Sequence, residues 1–335
     1  MFRSSVCCLQ ELGEFERRIV NPAVGRYAMN LRPGNDFRLP FRLARLFRRI
    51  GADIVHTRNA EAGFYGIIGA RLARVRGVVH SEHGRTFPEK AHRAWLQRRL
   101  LSGIDRTFAV SGCLKKDLAR EIGLPESRIS VVYNGVDLQR FEANRAQFRG
   151  AGRGELVIGA VGRLVEVKNF SLLLRAFATL RQTCQTRLLI VGEGPMRGSL
   201  QQLADQLGVA AQVHFAGHSE DIPALLRQMD IFVLPSCSEG LSNTLMEAMA
   251  SGVAVVASNV GGNPELVSDD ITGLLFESGD EAGLSKCLTD LACDAGRRAR
   301  LGAAGALRMR EEFSLPGMIH RYETLYRKVA EGRSQ

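Results

Sequence analysis

The chain has 335 residues, of which 45% are hydrophobic and 24% are charged. This balance is typical of a globular protein with room for two α/β domains, and it excludes a disordered or fibrous chain. No apolar run approaches the roughly 20 residues of a membrane-spanning helix, and residues 1–8 lack the apolar core of a secretory signal. Seven cysteines without a C-x-x-C pair fit a reduced cytosol and predict no zinc site. We therefore expect a cytoplasmic protein.

The formal net charge of +10 is concentrated in the first half of the chain. Residues 1–150 hold 27 Lys+Arg against 14 Asp+Glu, whereas residues 151–335 hold 18 against 21. Such a basic half favours an acidic partner, for which the candidates are anionic lipid head groups, a phosphate-linked acceptor and nucleic acid. Because no zinc-finger, RRM or basic-zipper pattern occurs, we expect no nucleic-acid partner.

Short apolar runs alternate with amphipathic helical stretches from Asp53 onward, a pattern typical of parallel-sheet βαβ units. In chain order they predict strands at 53–56, 77–81, 105–110, 129–133, 156–161, 187–191, 212–215, 230–234, 253–257 and 273–276. Ser111 is a predicted helix N-cap, and Gly123 ends that helix. After Asp280 the pattern is helical, with a break at Pro316 and a last helix over 317–330. The sequence therefore predicts doubly wound α/β domains.

A polar segment divides the two halves. The turn Asn134-Gly135-Val136-Asp137 is followed by a Gly-rich stretch that ends near Gly154. We expect the domain boundary within 138–154. The predicted parts are an N-terminal domain over 1–145, a C-terminal domain over 154–315 and a C-terminal helix over 316–335.

One helical stretch has an apolar face formed by Leu39, Leu43, Leu46, Phe47 and Ile50, together with several arginines. Its apolar residues fall on one side, and the arginines at positions 42, 45, 48 and 49 fall on the others. One interpretation is core packing with solvated arginines. The other is that these arginines dock the N-terminal domain on an anionic membrane.

A strand ending at Pro235 opens into a loop that carries Glu239, and a helix then begins near Asn243 and carries Glu247. Free N–H groups at such a helix start attract a diphosphate, although Asn243 also suits simple N-capping. Carboxylates accept paired hydrogen bonds from sugar hydroxyls. Two glutamates at this spacing are common by chance, so the neighbouring residues decide the interpretation.

Those neighbours read P-S-C-S-E-G-L-S-N-T-L-M-E-A-M-A-S-G-V-A-V-V-A-S-N-V-G-G-N-P-E. This segment closely resembles the donor-binding segment of the retaining GT-B glycosyltransferases of family 4, the glycosyl transferases of group 1. The resemblance implies two Rossmann-like domains facing a cleft and a nucleotide-sugar donor. It further implies that the backbone of Ser242, Asn243 and Thr244 binds the donor diphosphate, that Glu247 binds ribose and that Glu239 binds the donor sugar.

Two further motifs agree with this resemblance. The segment G-R-L-V-E-V-K-N after the strand ending at Val161 is similar to the family's G-R-x-x-x-x-K-N loop, which implies that Arg163 and Lys168 bind the diphosphate. Two cations on such a loop can stabilise the charge on a departing nucleoside diphosphate. The segment V-G-E-G-P resembles a family turn; its glycine spacing departs from the G-x-G-x-x-G dinucleotide fingerprint, so we interpret it as turn geometry.

Two strand-end histidines are candidates for the other domain. His83, in S-E-H-G-R, matches the position where the family places a histidine beside the donor sugar, and the following Gly84 allows close approach of a ligand. A lone strand-end histidine is otherwise more often structural. His56, in H-T-R-N, can border the acceptor, although the related pattern has a second histidine where Arg58 stands.

The N-G-V-D segment matches the family's interdomain turn and is assigned to hinge geometry.

The resemblance covers roughly residues 6–330 and carries three further expectations. No D-x-D triplet occurs, so metal-independent transfer is expected, and no cofactor is needed beyond the nucleotide-sugar co-substrate. Family members begin with a strand, a Gly-rich loop and a helix that residues 1–20 do not supply. We therefore expect an N-terminal domain without its first βα unit, in which residues 6–9 form the second strand, and a longer natural enzyme.

The predicted function is a glycosyltransferase, with His83 and Glu239 as catalytic residues. It would act on a glycan or polyprenyl-linked acceptor at the inner face of the plasma membrane. The H-T-R-N and E-H-G-R segments most resemble sugar transferases of bacterial exopolysaccharide and exosortase (PEP-CTERM) loci. Two alternatives are a truncated, non-catalytic donor-binding homologue and a sugar-nucleotide epimerase of the same fold.

Overall fold

The structure is a computed structural model that describes residues 2–13, 16–17, 19–31, 34, 36–84, 91–142 and 155–332. The described chain forms two compact units. Unit 1 contains residues 1–109, 115–131 and 323–335, and unit 2 contains residues 110–114 and 132–322. The predicted boundary segment lies largely outside the described residues, so the predicted division at 145 and 154 stays a prediction.

The strands are short, and all except β2 lie within two residues of the predicted positions. They are β1 (Ser5–Cys8), β2 (Gly25–Ala28), β3 (Ile54–Arg58), β4 (Gly77–Glu82), β5 (Arg106–Ala109), β6 (Ile129–Val131), β7 (Leu156–Val161), β8 (Thr186–Val191), β9 (Val213–Gly217), β10 (Ile231–Leu234), β11 (Ala254–Ser258) and β12 (Leu274–Phe276). Strand β2 was not predicted, since its sequence G-R-Y-A has no apolar run to indicate a strand.

Helices connect most of the strands. They are α1 (Leu39–Ile50), α2 (Asn59–Ala73), α3 (Ala91–Leu101), α4 (Gly112–Asp117), α5 (Leu138–Glu142), α6 (Phe170–Arg181), α7 (Arg197–Gln206), α8 (Ile222–Leu226), α9 (Asn243–Ala250), α10 (Asn263–Leu266), α11 (Glu281–Cys293), α12 (Ala295–Glu312) and α13 (Leu315–Glu331). A π-helical turn (Leu118–Ile122) follows α4, and 3-10 turns cover Glu126–Arg128, Glu166–Lys168 and Ala210–Gln212. Ser111 caps α4 and Gly123 ends the π-helical turn in the left-handed conformation, as predicted. No helix in the described ranges has the length and apolar composition to cross a membrane.

Unit 2 contains a six-stranded parallel sheet in the order β9-β8-β7-β10-β11-β12. The sheet is therefore doubly wound, which is the fold class that the sequence predicted. Every residue of β10 and β11 is buried, which explains why these strands read as unbroken apolar runs. Helices α6, α7, α11 and α12 complete one continuous core with the sheet. The sheet and these four helices therefore form the core of unit 2.

Unit 1 contains a four-stranded parallel sheet, β3-β4-β5-β6, and a separate parallel pair, β1-β2. Helix α1 buries the predicted apolar face, which includes Leu39, Leu43, Leu46 and Phe47. Helix α2 approaches it closely, because an added Cβ on Gly69 would lie 2.8 Å from the Leu43 Cβ. The two helices thus share an apolar contact, and the arginines of α1 remain on its outer face.

The V-G-E-G-P turn after β8 has the tight geometry that the sequence predicted. Gly192 has a φ of +137°, and an added Cβ would lie 1.9 Å from the carbonyl oxygen of Gly162. Its neighbours bond to the loop after β7, since the N–H of Leu164 donates to the Glu193 carbonyl at 2.9 Å and that of Met196 to the Leu164 carbonyl at 3.0 Å. The turn therefore shapes the loop that carries Arg163.

We expect Gly192→Ala to lower the free energy of unfolding by about 2 kcal/mol or more, because the new Cβ meets backbone in a left-handed conformation. Gly198→Ala is the matched control. Gly198 lies within α7 with open space around its Cα, so alanine should raise stability by roughly 0.5–1 kcal/mol. Urea denaturation of both variants measures the difference, and equal stabilities would contradict this account of the turn.

Candidate active site

The strands β7 and β10 are neighbours at the centre of the unit 2 sheet. From β7 the chain winds outward to β8 and β9, and from β10 it winds in the opposite direction to β11 and β12. The loops that follow β7 and β10 therefore diverge at the topological switch point, which is where doubly wound sheets bind ligands. Arg163 and Lys168 lie on the first loop, and Glu239 lies on the second.

The loop after β7 is ordered by local hydrogen bonds. The N–H of Lys168 donates to the Val165 carbonyl at 3.0 Å within a 3-10 turn, and Asn169 follows at a φ of +49° before α6 begins. Arg163 is exposed, while Lys168 is half-buried. The N–H of Cys237, after β10, donates to the Val167 carbonyl at 2.8 Å. This bond fixes the two loops against each other.

An ion pair joins the two loops at the side-chain level. Lys168 Nζ lies 2.5 Å from Glu239 Oε1, with exposed side-chain fractions of only 18% and 10%. The fully buried Ser236 donates from Oγ to the same oxygen at 2.7 Å. The family resemblance assigned Lys168 to the diphosphate and Glu239 to the sugar of one donor. The structure places the two side chains in direct contact. The cation and the carboxylate thus share one site.

Helix α9 begins beside this pair. Ser242 is its N-cap, because its Oγ accepts from the N–H of Leu245 at 3.3 Å. The alternative that Asn243 caps the helix is wrong, since Asn243 is the first helical residue and its Oδ1 accepts from Asn134 Nδ2 at 2.9 Å. Thr244 lies in the first turn, where its hydroxyl is 3.2 Å from that of Ser242. The first-turn N–H groups and the helix dipole favour an anion here.

Glu247 lies one turn further along α9 and is half-buried. Residues three or four apart share a face of a helix, so its side chain lies on the same face as Asn243 and Thr244. Apart from His83, all the residues for which the sequence predicted donor contacts lie within unit 2. The two strand-end histidines, His83 and His56, lie in unit 1.

The loop after β10 rests on a second set of buried residues that sequence analysis did not assign. The carbonyl of Ser236 accepts from Ser258 Oγ at 2.6 Å, and the Ser258 carbonyl accepts from Asn263 Nδ2 at 3.0 Å. All three residues are fully buried. An added Cβ on Gly261 would lie 1.7 Å from the Glu239 carbonyl oxygen, so only glycine allows this approach. The sequence contains these residues in the segment S-N-V-G-G-N, but it does not show which groups after β10 they contact.

Glu265 is another residue whose role the sequence did not reveal. Its carboxylate accepts from the N–H groups of Gly112 and Cys113 at 2.7 and 2.8 Å and from the Tyr133 hydroxyl at 2.9 Å. Burial and this hydrogen bond raise the pKa of Tyr133 to about 12. Carboxylates at a helix start satisfy free N–H groups. Glu265 therefore holds the start of α4 on unit 2.

The N-G-V-D segment is held by the chain between α12 and α13. The N–H of Val136 donates to the Phe313 carbonyl at 2.9 Å, and its carbonyl accepts from the Leu315 N–H at 3.0 Å. An added Cβ on Gly135 would lie 2.6 Å from the Leu315 Cα. Close packing thus explains the glycine. The assignment of this segment to an interdomain hinge stays a prediction.

His83 follows β4 and is half-buried in unit 1. Its N–H donates to Asn59 Oδ1 at 3.3 Å, and its ring Nε2 is buried without a hydrogen-bond partner among the described residues. Burial, with the positive charge of Arg58, lowers the pKa of His83 to about 4, although Glu82 acts in the opposite direction. The ring is therefore neutral at physiological pH. Arg85 of the same motif lies outside the described residues.

His56 has a structural role in unit 1. Its Nδ1 lies 2.5 Å from the Tyr326 hydroxyl and its Nε2 lies 2.6 Å from Ser81 Oγ. Burial, with the nearby charge of Arg58, lowers its pKa to about 3. Both ring nitrogens thus hydrogen-bond within the protein. The structure gives no support to the prediction that His56 borders an acceptor.

Across the described parts of the chain, no group of three His, Cys, Asp or Glu side chains could hold a metal ion.

Two family models match the chain almost end to end. The model described as "Glycosyltransferase Family 4" matches residues 2–140, and the one described as "Glycosyl transferases group 1" matches residues 142–308. The chain belongs to this glycosyltransferase family. The second match contains every unit 2 residue of the candidate donor site, from Arg163 to Glu247. The family that the sequence motifs indicated is therefore confirmed.

Curated relatives of this family are similar over most of the chain. The UDP-Gal:alpha-D-GlcNAc-diphosphoundecaprenol alpha-1,3-galactosyltransferase of Escherichia coli is 30% identical over 254 residues, which are 71% of this chain and 66% of the relative. The N-acetyl-alpha-D-glucosaminyl L-malate synthase of Bacillus anthracis is 27% identical over 91% of this chain and 82% of the relative. A D-inositol 3-phosphate glycosyltransferase of Salinispora tropica is 31% identical, and the match spans 61% of its length. The chain thus spans about two thirds of several of these relatives.

Solved structures share the fold of this family. The Anabaena HepE complex with UDP and glucose has a TM-score of 0.85 and 21% identity, covering 97% of this chain and 92% of that one. A glycosyltransferase from Rickettsia africae has a TM-score of 0.84 and 19% identity over 97% of this chain and 89% of that one. The predicted GT-B fold is therefore confirmed.

We expect the free energy of unfolding to fall as the pH drops from about 6.5 toward 4. In this range His56 binds a proton in the unfolded state but not in the folded state, where its pKa is about 3. The free energy of unfolding therefore falls by up to about 1.4 kcal/mol per pH unit. His56→Asn should show a shallower slope than the wild type between pH 6 and 4. His92→Asn, at an exposed position of α3, is the control and should keep the wild-type slope. Chemical denaturation at several pH values measures all three, and equal slopes would contradict a neutral buried His56.

Proposed function

We propose that this protein transfers a sugar from a nucleotide-sugar donor to a glycan or polyprenyl-linked acceptor, with retention of configuration. The observation that carries the proposal is the convergence of Lys168, Glu239 and the start of α9 at the switch point of one sheet. Residues that lie far apart in sequence meet there, and each has the chemistry that one part of a nucleotide sugar requires. A solvated surface loop would not need this buried support.

The diphosphate would bind between the loop after β7 and the start of α9. Arg163 and Lys168 supply positive charge, and the N–H groups of Ser242, Asn243 and Thr244 supply hydrogen bonds aligned with the helix dipole. Preorganised donors of this kind stabilise charge that develops on a leaving group. Because side-chain cations neutralise the leaving diphosphate and the sequence has no D-x-D triplet, we propose metal-independent transfer without a further cofactor.

The ribose and the sugar would bind on either side of the diphosphate. Glu247, one turn into α9, is placed to accept from ribose hydroxyls, and Glu239 from the sugar hydroxyls. His83, a neutral imidazole with an unpartnered Nε2, suits a hydrogen bond to the donor sugar better than a charged role. In a retaining reaction, an oxygen of the leaving diphosphate would help to deprotonate the acceptor hydroxyl. Glu239 and His83 would act on the reacting sugar.

The acceptor is proposed from the relatives. The name of the E. coli relative states a diphosphoundecaprenol-linked acceptor, so a polyprenyl-linked glycan is supported for this chain as well. We place the reaction in bacterial exopolysaccharide or cell-surface glycan synthesis, in the cytoplasm at the inner face of the plasma membrane. Such an acceptor is anionic, which agrees with the positive charge of residues 1–150.

The outer face of α1 supports a peripheral contact with an anionic membrane. Two aromatic side chains are unusually exposed: Phe41 on α1, at 65%, and Phe37, two residues before α1 begins, at 80%. They lie among the exposed arginines 38, 42, 45, 48 and 49, and α1 carries no acidic residue. Like charges along one helix face repel each other, and an anionic surface would relieve that repulsion. Exposed aromatic residues among arginines are typical of helices that lie at a membrane interface.

We expect the protein to float with vesicles that contain anionic lipid and not with purely zwitterionic vesicles. Phe37→Ala/Phe41→Ala and Arg38→Gln/Arg45→Gln should each weaken flotation, by roughly fivefold for each arginine removed. The control is Leu307→Ala/Arg310→Gln, which removes an exposed apolar and basic pair from α12 of unit 2. Flotation that is independent of anionic lipid would remove the membrane contact from the proposal.

A thermal-shift panel of UDP, GDP and ADP sugars tests the donor. We expect one nucleotide class to raise the melting temperature, because a ligand that binds only the folded state stabilises it. Arg163→Ala should abolish the shift, whereas Lys286→Ala, at an exposed position of α11, should keep it. Glu239→Ala should lower turnover at least about tenfold, the scale of one lost transition-state contact. No shift with any donor, or full activity of Glu239→Ala, would contradict the assignment.

A further inference from the structure

The contact between Lys168 and Glu239 has a consequence for how a donor binds. The proposed function gives the cation to the diphosphate and the carboxylate to the sugar. In the structure Lys168 Nζ and Glu239 Oε1 are 2.5 Å apart, so each side chain already neutralises the charge of the other. Because both side chains are mostly buried, solvent and salt screen this pair less than an exposed one. A donor must therefore compete with Glu239 for Lys168.

Ser236 contacts the same carboxylate from the protein side. Its Oγ donates to Glu239 Oε1 at 2.7 Å, and its own carbonyl is held by Ser258 Oγ at 2.6 Å. Ser236 is fully buried just after the central strand β10, and its carbonyl is bonded to Ser258, so it cannot follow Lys168 if the lysine moves. Glu239 Oε2 has no hydrogen bond among the described residues. One oxygen is thus anchored, and the other is available to a ligand hydroxyl.

We propose that donor binding is an exchange at Lys168. The diphosphate takes the ammonium group from Glu239, and Ser236 keeps the released carboxylate in place for the sugar hydroxyls. The inference rests on the proposed function and deepens it, since it names how the site recognises a nucleotide sugar. Ser236 is a positioning residue in this scheme, because it acts through Glu239.

The exchange separates the donor from the product. A nucleoside diphosphate gains Lys168 but leaves Glu239 without either a cation or a sugar. A nucleotide sugar gains Lys168 and also supplies hydroxyl groups that hydrogen-bond the released carboxylate. The site should therefore hold the donor more tightly than the nucleoside diphosphate, which favours product release after transfer.

Calorimetric titration with UDP, GDP and ADP tests the exchange. Glu239→Gln removes the competing charge, so it should bind the preferred nucleoside diphosphate roughly three- to tenfold more tightly than the wild type. Simple charge repulsion would give the same sign, and the Lys168→Met background distinguishes the two. If Lys168 mediates the effect, Glu239→Gln should change affinity less than twofold in that background. Glu166→Gln, an exposed carboxylate on the same loop, is the matched control and should change little.

The outcomes separate the two proposals. If the wild type binds one nucleoside diphosphate and Glu239→Gln binds it no more tightly, the exchange is wrong and the donor site stands. Tightening that persists in the Lys168→Met background also overturns the exchange. If neither the wild type nor Glu239→Gln binds any of the three nucleotides, the proposed function itself fails.

A second measurement isolates Ser236. Ser236→Ala should bind the nucleoside diphosphate within about twofold of the wild type but lose at least about fivefold in affinity for the matching nucleotide sugar. Ser236→Thr keeps the hydroxyl and should restore the ratio of the two affinities. A general loss of structure would weaken both ligands equally. An unchanged ratio in Ser236→Ala would overturn the positioning role.

Discussion

The adjacency of β7 and β10 is the constraint on which the candidate site depends. Both strands are buried and parallel, so their carboxyl ends meet at one edge of the sheet. The chain winds in opposite directions from these two strands, and the loops after them diverge around a common space. The Cys237 to Val167 backbone bond and the Lys168 to Glu239 ion pair both follow from this arrangement.

Glycines and small polar residues make the site compact. Gly192 lets the turn after β8 reach the backbone of the Arg163 loop, and Gly261 lets the turn after β11 reach the backbone of Glu239. Ser236 and Ser258 then satisfy buried polar groups that this packing creates. The side chains that would contact the ligand are therefore supported from below by residues that would not touch it, as preorganised sites require.

The two units differ in how they use their polar residues. Unit 2 has charged side chains and helix N–H groups at the ends of β7 and β10 and at the start of α9. Its acidic and basic residues are nearly equal in number. Unit 1 keeps His56 and His83 neutral near the ends of β3 and β4, and several exposed arginines lie along α1. This division agrees with the proposed donor site in unit 2 and with the proposed contact of unit 1 with an anionic acceptor or membrane.

The sequence by itself determined the α/β class, ten of the twelve strands to within two residues, and the candidate donor residues, because apolar runs and motif spacing are local signals. Strand β1 was predicted only as the remnant of a second strand at residues 6–9, and β2 was not predicted. Only the tertiary structure showed that Lys168 contacts Glu239, that Ser242 rather than Asn243 caps α9, and that His56 is fully engaged. Those facts depend on residues brought together from distant parts of the chain, and the packing of parallel strands, not local preference, decides which of them meet.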